Sequence, residues 1–197
     1  MAEAVLAAEA TPVVVVGFSM GAIVAAEIAR RAPDRVTALG LIAFNASADL
    51  PERAAARPRQ QAEVRAGHLA ALVAEELKPN YLAEKNRGDA ALLGPVMDMA
   101  LALGPKAFIA QSEALRLRGD LRPALPAFAM PILLACGDED QLCPPAWHRA
   151  WAAAIGSGAR LAVIAGAGHL LPLERPDALA DALLGWLSEE VRCPVAS

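Results

Sequence analysis

The chain has 197 residues, 56% of them hydrophobic, and a formal net charge of -4 at pH 7. This length and composition predict one globular domain over residues 1–197 with a sizeable core. Aromatic residues make up only 4% of the chain and basic residues are scattered, so we expect no nucleic-acid partner. No apolar run approaches the roughly 18 residues of a membrane span, and the amino terminus lacks signal-peptide features, which predicts a cytoplasmic protein that spans no membrane.

The first elements in chain order are predicted to be a short helix, a strand and a second helix. Residues 2–8 have a helical pattern that ends at Pro12. The valines Val13–Val16 form a β-branched run typical of a parallel strand buried on both faces. Residues 21–32 then predict a helix. The residues between this strand and helix are therefore expected to form a sharp turn.

That turn carries the pentapeptide Gly17-Phe18-Ser19-Met20-Gly21. A Gly-x-Ser-x-Gly sequence between a strand and a helix is typical of a nucleophile elbow, which lifts the serine hydroxyl to where a base can reach it. The pattern is short and occurs by chance in unrelated chains. Its interpretation therefore depends on whether an acid and a histidine follow later strands.

The rest of the chain predicts a parallel sheet with a helical insertion. Residues 36–44 predict a second strand, in which Gly40 indicates the close approach of a neighbour. Strand patterns are then absent from residues 46–129, which predict a helical cap. Strands return at 131–136 and 160–164, with a helix after each. The predicted cap helices are 53–65, 68–77, 89–103 and 106–118, and the later helices are 144–155 and 175–191.

Three polar groups follow predicted strands, where parallel sheets bind their ligands. Ser19 follows the first strand, the acidic segment Asp138–Asp140 follows the third, and His169 follows the fourth. A serine hydroxyl is a weak nucleophile and needs a base, which histidine supplies near neutral pH. A carboxylate fixes the imidazole tautomer and stabilises the imidazolium. The order Ser, Asp, His therefore predicts serine hydrolase chemistry.

With these motifs the sequence resembles the α/β-hydrolase superfamily, over about residues 1–190. The matching segments are residues 17–21, 137–144 and 166–176. The resemblance implies Ser19 as nucleophile, Asp140 as orienting acid, His169 as base and the Met20 backbone N–H as an oxyanion donor. The implied fold is a partial α/β-hydrolase domain, with about four mainly parallel strands, flanking helices and a helical cap after the second strand. The helical cap and the Gly-Phe-Ser-Met-Gly elbow resemble those of small-molecule carboxylesterases and enol-lactonases.

Other side chains in the sequence leave alternatives open. Asp138 or Glu139 competes with Asp140 for the acid role, and Asn45 and Asp49 follow the second strand, where some members carry the acid. His68 and His148 lie in predicted helices and are interpreted as surface or cap residues. Cys143 is interpreted either as a packing residue or as a redox switch. Met97, Met99 and Leu101 are interpreted either as the lining of an acyl pocket or as residues that pack between helices.

The elbow lies early in the chain, at residue 19. Similar proteins carry roughly four strands before it, and a loop among them donates the second N–H of the oxyanion hole. We therefore expect Met20 to be the sole donor here, and loss of one donor costs about 2.7–4 kcal/mol in the transition state.

The early position also predicts that the strand Val13–Val16, central in similar proteins, lies at the edge of this sheet. Three explanations stay open: a fragment or wrongly assigned start, a natural truncation, or an edge covered by a partner or by a second copy in a homodimer.

Three functions remain as hypotheses from sequence. The first is a serine hydrolase that cleaves a small-molecule ester or lactone through an acyl-serine, impaired by loss of part of the oxyanion hole. The second is a non-catalytic binding or interaction module derived from such an enzyme, and the third is an acyltransferase of the same fold. No metal or organic cofactor is expected for any of them.

Overall fold

Four parallel strands form one sheet in the computed structural model, which describes residues 1–190. In sheet order they are β1 (Val13–Phe18), β2 (Val36–Ile42), β3 (Ile132–Gly137) and β4 (Ala159–Ile164). Sheet order equals chain order because each connection crosses over a face of the sheet to the next parallel strand. The predicted α/β class with four parallel strands is therefore confirmed, and the strand boundaries agree to within about two residues.

The helices alternate with these strands. They are α1 (Ala2–Ala8), α2 (Met20–Arg31), α3 (Pro51–Arg65), α4 (Leu69–Leu72), α5 (Ala90–Arg116), α6 (Pro145–Ile155), α7 (Leu171–Glu174) and α8 (Pro176–Glu190). The sequence pattern missed α7, which is a single turn. The predicted end of the last helix at Val191 and the third cysteine, Cys193, lie outside the described residues.

The two faces of the sheet are covered by different helices. On one face, α1, α2 and α6 pack against side chains such as Leu39, Leu41 and Leu134. On the other face, α8 packs Trp186 against Ala38 and Leu133. All six residues of β3 are buried, since this strand lies beneath helices on both faces. Burial on both faces explains why β3 is a continuous apolar run.

Strand β1 is not buried on both faces, so that prediction from its valines was wrong. Val14 and Val16 are 40% and 45% exposed, because α8 packs over β3 and β4 and leaves β1 uncovered. The prediction that β1 lies at the sheet edge is confirmed.

The predicted close approach of a neighbour to Gly40 is also confirmed, because a Cβ on Gly40 would lie 3.0 Å from Val16 Cγ2 on β1. Coverage of this edge by a partner or second copy stays a prediction.

Helices α3, α4 and α5 fill the segment between β2 and β3, where the sequence predicts a cap. Among the described residues, α5 is the one helix with the length and mean hydropathy of a membrane span. Gly104, at φ 76° and ψ 179°, divides it into two segments, each shorter than the roughly 20 residues that a span requires. The sequence predicted this break, between helices 89–103 and 106–118, and the first of these helices continues through Pro95 as predicted.

His148 is fully buried, which corrects its assignment to the surface or the cap. It lies in α6, where its Nε2 accepts a hydrogen bond from the Phe44 N–H at 2.9 Å. Its Nδ1 lies 3.3 Å from the Pro144 carbonyl oxygen and donates to it in the matching tautomer. The side chain therefore ties α6 to the end of β2. His68 is exposed in the cap beside Glu63, as expected.

Burial lowers the pKa of His148 below its ordinary value of 6.5. The unfolded chain then binds a proton that the folded chain excludes, so this contribution to stability is present above about pH 6.5 and is lost as the pH falls. We expect His148→Gln, which keeps an acceptor for the Phe44 N–H, to flatten the fall in unfolding free energy between about pH 6.5 and pH 5. The difference in slope should approach 1.4 kcal/mol per pH unit, roughly one proton.

Urea unfolding at several pH values measures this slope, with His68→Gln as the control at an exposed histidine. Equal slopes for the wild-type protein and His148→Gln would contradict the assignment of the titration to His148.

Candidate active site

Ser19 lies in a strained turn between β1 and α2. Its backbone has φ 52° and ψ -113°, a conformation that a residue with a side chain rarely adopts. The Ser19 N–H donates to the Ile42 carbonyl oxygen at 2.8 Å, which fixes the turn to the end of β2. Ala43, the next residue of that chain segment, also has a positive φ of 50°. Such strain persists only where the surrounding structure enforces it, and it clusters at functional sites.

The two glycines of the elbow differ in what they permit. A Cβ at Gly17 would lie 2.2 Å from the Gly21 carbonyl oxygen, whereas a Cβ at Gly21 would have no described atom within 4 Å. We expect Gly17→Ala to lower the unfolding free energy by at least about 3 kcal/mol, because two backbone segments must separate. Gly21→Ala is expected to leave it unchanged or raise it by up to about 1 kcal/mol, since alanine favours helix.

Denaturant unfolding of the two variants forms a matched test, because each adds one methyl group to the same turn. Equal stability of the two variants would show that the close contact at Gly17 does not limit the turn.

Ser19, His169 and Asp140 form a continuous chain of hydrogen bonds. Ser19 Oγ lies 2.8 Å from His169 Nε2, and His169 Nδ1 lies 2.9 Å from Asp140 Oδ2. The other oxygen of Asp140 accepts from the backbone N–H groups of Leu142 and Cys143, both at 2.8 Å. The acid is thus buried and held in one orientation, with its free oxygen directed at the imidazole.

The competing acids have other partners. Asp138 Oδ1 accepts from the Gly166 N–H at 2.7 Å, so it fixes the loop that precedes the histidine. Glu139 accepts from the Glu84 N–H at 2.8 Å, in the cap. Asp49, after the second strand, is paired with arginines, and Asn45 accepts from the Ser47 N–H at 2.9 Å. Of the candidates from sequence, the structure brings Asp140 to His169.

Sequence reasoning missed Glu174, which joins the histidine loop to the cap. One oxygen of its carboxylate accepts from the Gly168 N–H at 2.7 Å, and the other accepts from the Ala83 N–H at 2.8 Å. Gly168 packs so closely on the cap that a Cβ there would lie 2.5 Å from Ala83 N. The histidine position therefore depends on the cap. The Leu-Glu-Arg-Pro segment after the histidine contains this glutamate, but no sequence pattern indicates its partners.

A cavity of about 620 Å³ opens between the sheet and the cap and contains Ser19 and His169 in its wall. This volume lies in the range of small-molecule sites. Tyr81 also lines it, with its ring centroid 6.2 Å from that of His169. The apolar residues that the segment between β2 and β3 contributes to the lining include Val73, Leu77, Val96, Ala100, Phe108 and Leu115. The polar lining includes Asn45, Asp49, Arg53, Arg57, Gln60 and Arg118.

The methionines predicted as one alternative for this lining lie elsewhere. Met97 packs inside the cap, which favours the helix-packing interpretation, and Met99 and Leu101 are exposed on α5. Val96 and Ala100, on the neighbouring face of the same helix, take the lining positions instead.

The Met20 backbone N–H lies in the first turn of α2 and donates to no partner among the described residues. An unpaired N–H at a helix amino terminus, next to Ser19 and in the wall of the cavity, favours negative charge. The position therefore suits an oxyanion beside Ser19 Oγ.

Within the described residues, the ligand atoms of Asp140, Cys143 and His169 all lie within 4.8 Å of one another, so this group has the composition of a metal site. Two of its members already share a hydrogen bond. Burial raises the pKa of the Cys143 thiol, and a metal binds the thiolate. The arrangement therefore favours the hydrogen-bonded acid and base, with Cys143 as a packing residue.

A parallel sheet with helices on both faces, a serine in a strained strand-to-helix turn and a buried His–Asp pair define the α/β-hydrolase class of protein. Residues 2–182 match the alpha/beta hydrolase family. The chain belongs to this family.

Three similar proteins illustrate the relationship. The chain is 32% identical over 187 residues to a pimeloyl-[acyl-carrier protein] methyl ester esterase of Xanthomonas oryzae pv. oryzae, covering 90% of this chain and 72% of the relative. A thermophilic esterase from Thermogutta terrifontis has a TM-score of 0.84 at 32% identity, covering 91% of this chain. An enol-lactonase from Burkholderia xenovorans has a TM-score of 0.79 at 28% identity, also covering 91%. The chain spans 65% of that esterase and 66% of that lactonase.

Proposed function

We propose that this chain is a serine hydrolase that cleaves a small carboxylic ester or lactone through an acyl-serine intermediate. The observation that carries the proposal is the hydrogen-bonded series from Ser19 Oγ through His169 to Asp140, with separations of 2.8 Å and 2.9 Å. It opens into a cavity large enough for a small molecule.

In the first half of the reaction, Ser19 Oγ attacks the carbonyl carbon while His169 Nε2 takes the hydroxyl proton. Asp140 holds the Nδ1–H and stabilises the imidazolium. The Met20 N–H donates to the oxyanion, with the positive end of the α2 dipole behind it. Collapse of the tetrahedral intermediate breaks the bond to the leaving alkoxide, which receives the proton from His169 and departs as an alcohol.

In the second half, His169 removes a proton from water, and the hydroxide attacks the carbonyl carbon of the acyl-serine. Collapse of the second tetrahedral intermediate breaks the bond to Ser19 Oγ, and His169 returns the proton to that oxygen. A carboxylic acid is released and the free serine is restored. In a lactone, acid and alcohol belong to one molecule, which leaves as a hydroxy acid.

The relatives support the substrate class. Two are named as esterases and one as an enol-lactonase, and both reactions break an acyl–oxygen bond. The buried acid and the strained elbow support chemistry over a binding role, because a module that only binds a ligand needs neither. The cytoplasmic location expected from the sequence stays a prediction.

The test is covalent labelling of the folded protein with a fluorophosphonate probe, followed by turnover of p-nitrophenyl esters. Labelling at Ser19 together with release of the acid supports a hydrolase. Folded protein that does not label would contradict the proposal and favour the non-catalytic module, whereas labelling with transfer to an added alcohol in preference to water would favour an acyltransferase.

A further inference from the structure

Helix α3 directs two arginines into the wall of the cavity. Arg53 and Arg57, four residues apart, share the cavity-facing side of the helix with Ala56 and Gln60, and both are only partly exposed. Arg65, on the same helix, is exposed outside the cavity. Arginine side chains usually keep their charged group in water. A guanidinium that faces a cavity loses part of that hydration, and a hydrogen-bonding or anionic partner in the cavity compensates the loss.

Arg57 already has that partner within the chain. Its guanidinium binds the carboxylate of Asp49 with two hydrogen bonds, at 2.6 Å and 3.2 Å. Arg118 approaches the same carboxylate at 3.2 Å and donates to the Ser47 carbonyl oxygen at 3.0 Å. One buried carboxylate therefore serves two guanidinium groups.

Arg53 has no carboxylate partner among residues 1–190. Its single hydrogen bond goes from Nη1 to the carbonyl oxygen of Leu142, at 3.2 Å. The other acids in the cavity wall do not compensate it: Glu52 is exposed to solvent, and Glu76 binds the Arg59 guanidinium at 2.6 Å. A guanidinium has five N–H donors, so most of those on Arg53 remain available.

The positive charges of Arg53 and Arg57 act on the neighbouring guanidinium of Arg118. The pKa of Arg118 is lowered, first by burial and to a smaller extent by the charges of Arg57 and Arg53, against the opposing effect of Asp49. An anion bound in the cavity would relieve this repulsion. The same cavity has an apolar lining from α5 and the preceding cap residues, which suits an alkyl chain.

Arg53 and the reacting groups Ser19 and His169 line the same cavity. Arg53 contacts Leu142, whose backbone N–H holds Asp140, and Leu142 lines this cavity as well. Because this cavity has a volume of about 620 Å³, an anion bound by Arg53 and an acyl carbon at Ser19 would belong to one small molecule. A planar guanidinium matches a carboxylate through two parallel hydrogen bonds, which favours a carboxylate as the anion.

We propose that Arg53 binds a free carboxylate on the acyl part of the substrate, so that the preferred substrates are half-esters of short dicarboxylic acids or carboxylate-bearing lactones. This inference rests on the proposed hydrolase function and specifies its substrate class.

The experiment compares monomethyl glutarate with dimethyl glutarate, which have the same carbon chain and differ in one negative charge. We expect the wild-type protein to favour the monoester in kcat/KM by at least about tenfold, and Arg53→Gln to lower that ratio by about 10- to 100-fold, the range of a charge-assisted hydrogen bond. Because the ratio is taken within each variant, a general loss of activity cancels. Arg65→Gln, on the same helix outside the cavity, should retain the wild-type ratio.

A second measurement separates this inference from the proposed function. Calorimetric binding of monomethyl glutarate to the Ser19→Ala protein should weaken about 10- to 100-fold when Arg53→Gln is added, whether or not the ester is hydrolysed. If the wild-type protein neither labels with the fluorophosphonate probe nor hydrolyses any of these esters but this loss of binding occurs, the carboxylate site stands and the hydrolase function fails. If both glutarate esters are hydrolysed at equal rates, the carboxylate site is overturned and the hydrolase function stands. If Arg53→Gln leaves binding unchanged, the carboxylate site is overturned, and the labelling result alone decides the hydrolase function.

Discussion

Ser19→Ala is expected to abolish fluorophosphonate labelling and to lower kcat for ester hydrolysis by about 10⁴- to 10⁶-fold. The reason is that Ser19 Oγ is the atom 2.8 Å from His169 Nε2 in the wall of the cavity, so its removal leaves the base without a nucleophile. Binding is expected to survive, since alanine removes one oxygen and leaves the turn intact. The measurements are mass spectrometry of the labelled protein and steady-state rates with p-nitrophenyl esters.

The matched control for this change is Ser188→Ala. Ser188 is an exposed residue of α8 whose hydroxyl donates to the Gly185 carbonyl oxygen at 2.9 Å, far along the chain from the elbow. The probe should label the Ser188→Ala protein, and this variant should hydrolyse the esters, as for the wild-type protein. Equal labelling of the wild-type and Ser19→Ala proteins would contradict the assignment of Ser19 as nucleophile.

Asp140→Asn is expected to reduce kcat on the order of 10⁴-fold while the protein stays folded. An asparagine at this position presents an amide group to His169 Nδ1, which favours the imidazole tautomer that carries its proton on Nε2 and cannot accept the serine proton. The imidazolium also loses the carboxylate that stabilises it at 2.9 Å. Rates over a range of pH, together with circular dichroism to verify folding, measure this effect.

Asp138→Asn is the matched control for Asp140→Asn, because it makes the same change two residues earlier in the same turn. Asp138 holds the histidine loop through the Gly166 N–H, and the amide oxygen of asparagine still accepts that hydrogen bond. We expect a loss of about tenfold or less, consistent with a retained neutral hydrogen bond. Should Asp138→Asn prove as damaging as Asp140→Asn, the acid role would have to be shared along the turn.

Much of the sheet could be predicted from the sequence, because its strands are short β-branched and apolar runs bounded by prolines and glycines. The valines of β1 show where this reasoning stops. A continuous apolar run indicates a strand that is covered on both faces, but coverage depends on which helix reaches it, and α8 packs over β3 and β4. Val14 and Val16 are therefore exposed despite their composition.

The histidines show the same limit for side chains. His169 could be recognised because it follows a strand in a glycine-rich segment, in the order after Ser19 and Asp140. His148 lies in a helical pattern that resembles a surface helix, and only the packing of α6 against the end of β2 places it beside the Phe44 N–H. A pattern with the period of a helix distinguishes its faces, but it does not identify the backbone group that a polar side chain will meet.

The sequence by itself determined the parallel α/β architecture, the helical segment between β2 and β3, and the order of a serine, an acidic segment and a histidine after successive strands, because these follow from local patterns and from the rule that ligand groups lie after strands. Only the tertiary structure decided which of three adjacent acids faces His169, that Glu174 joins the histidine loop to the cap, and that Arg53 lines the cavity with no carboxylate partner in the part of the chain that the structure describes. These outcomes depend on distances between segments far apart in the chain, which are set when the cap packs onto the sheet.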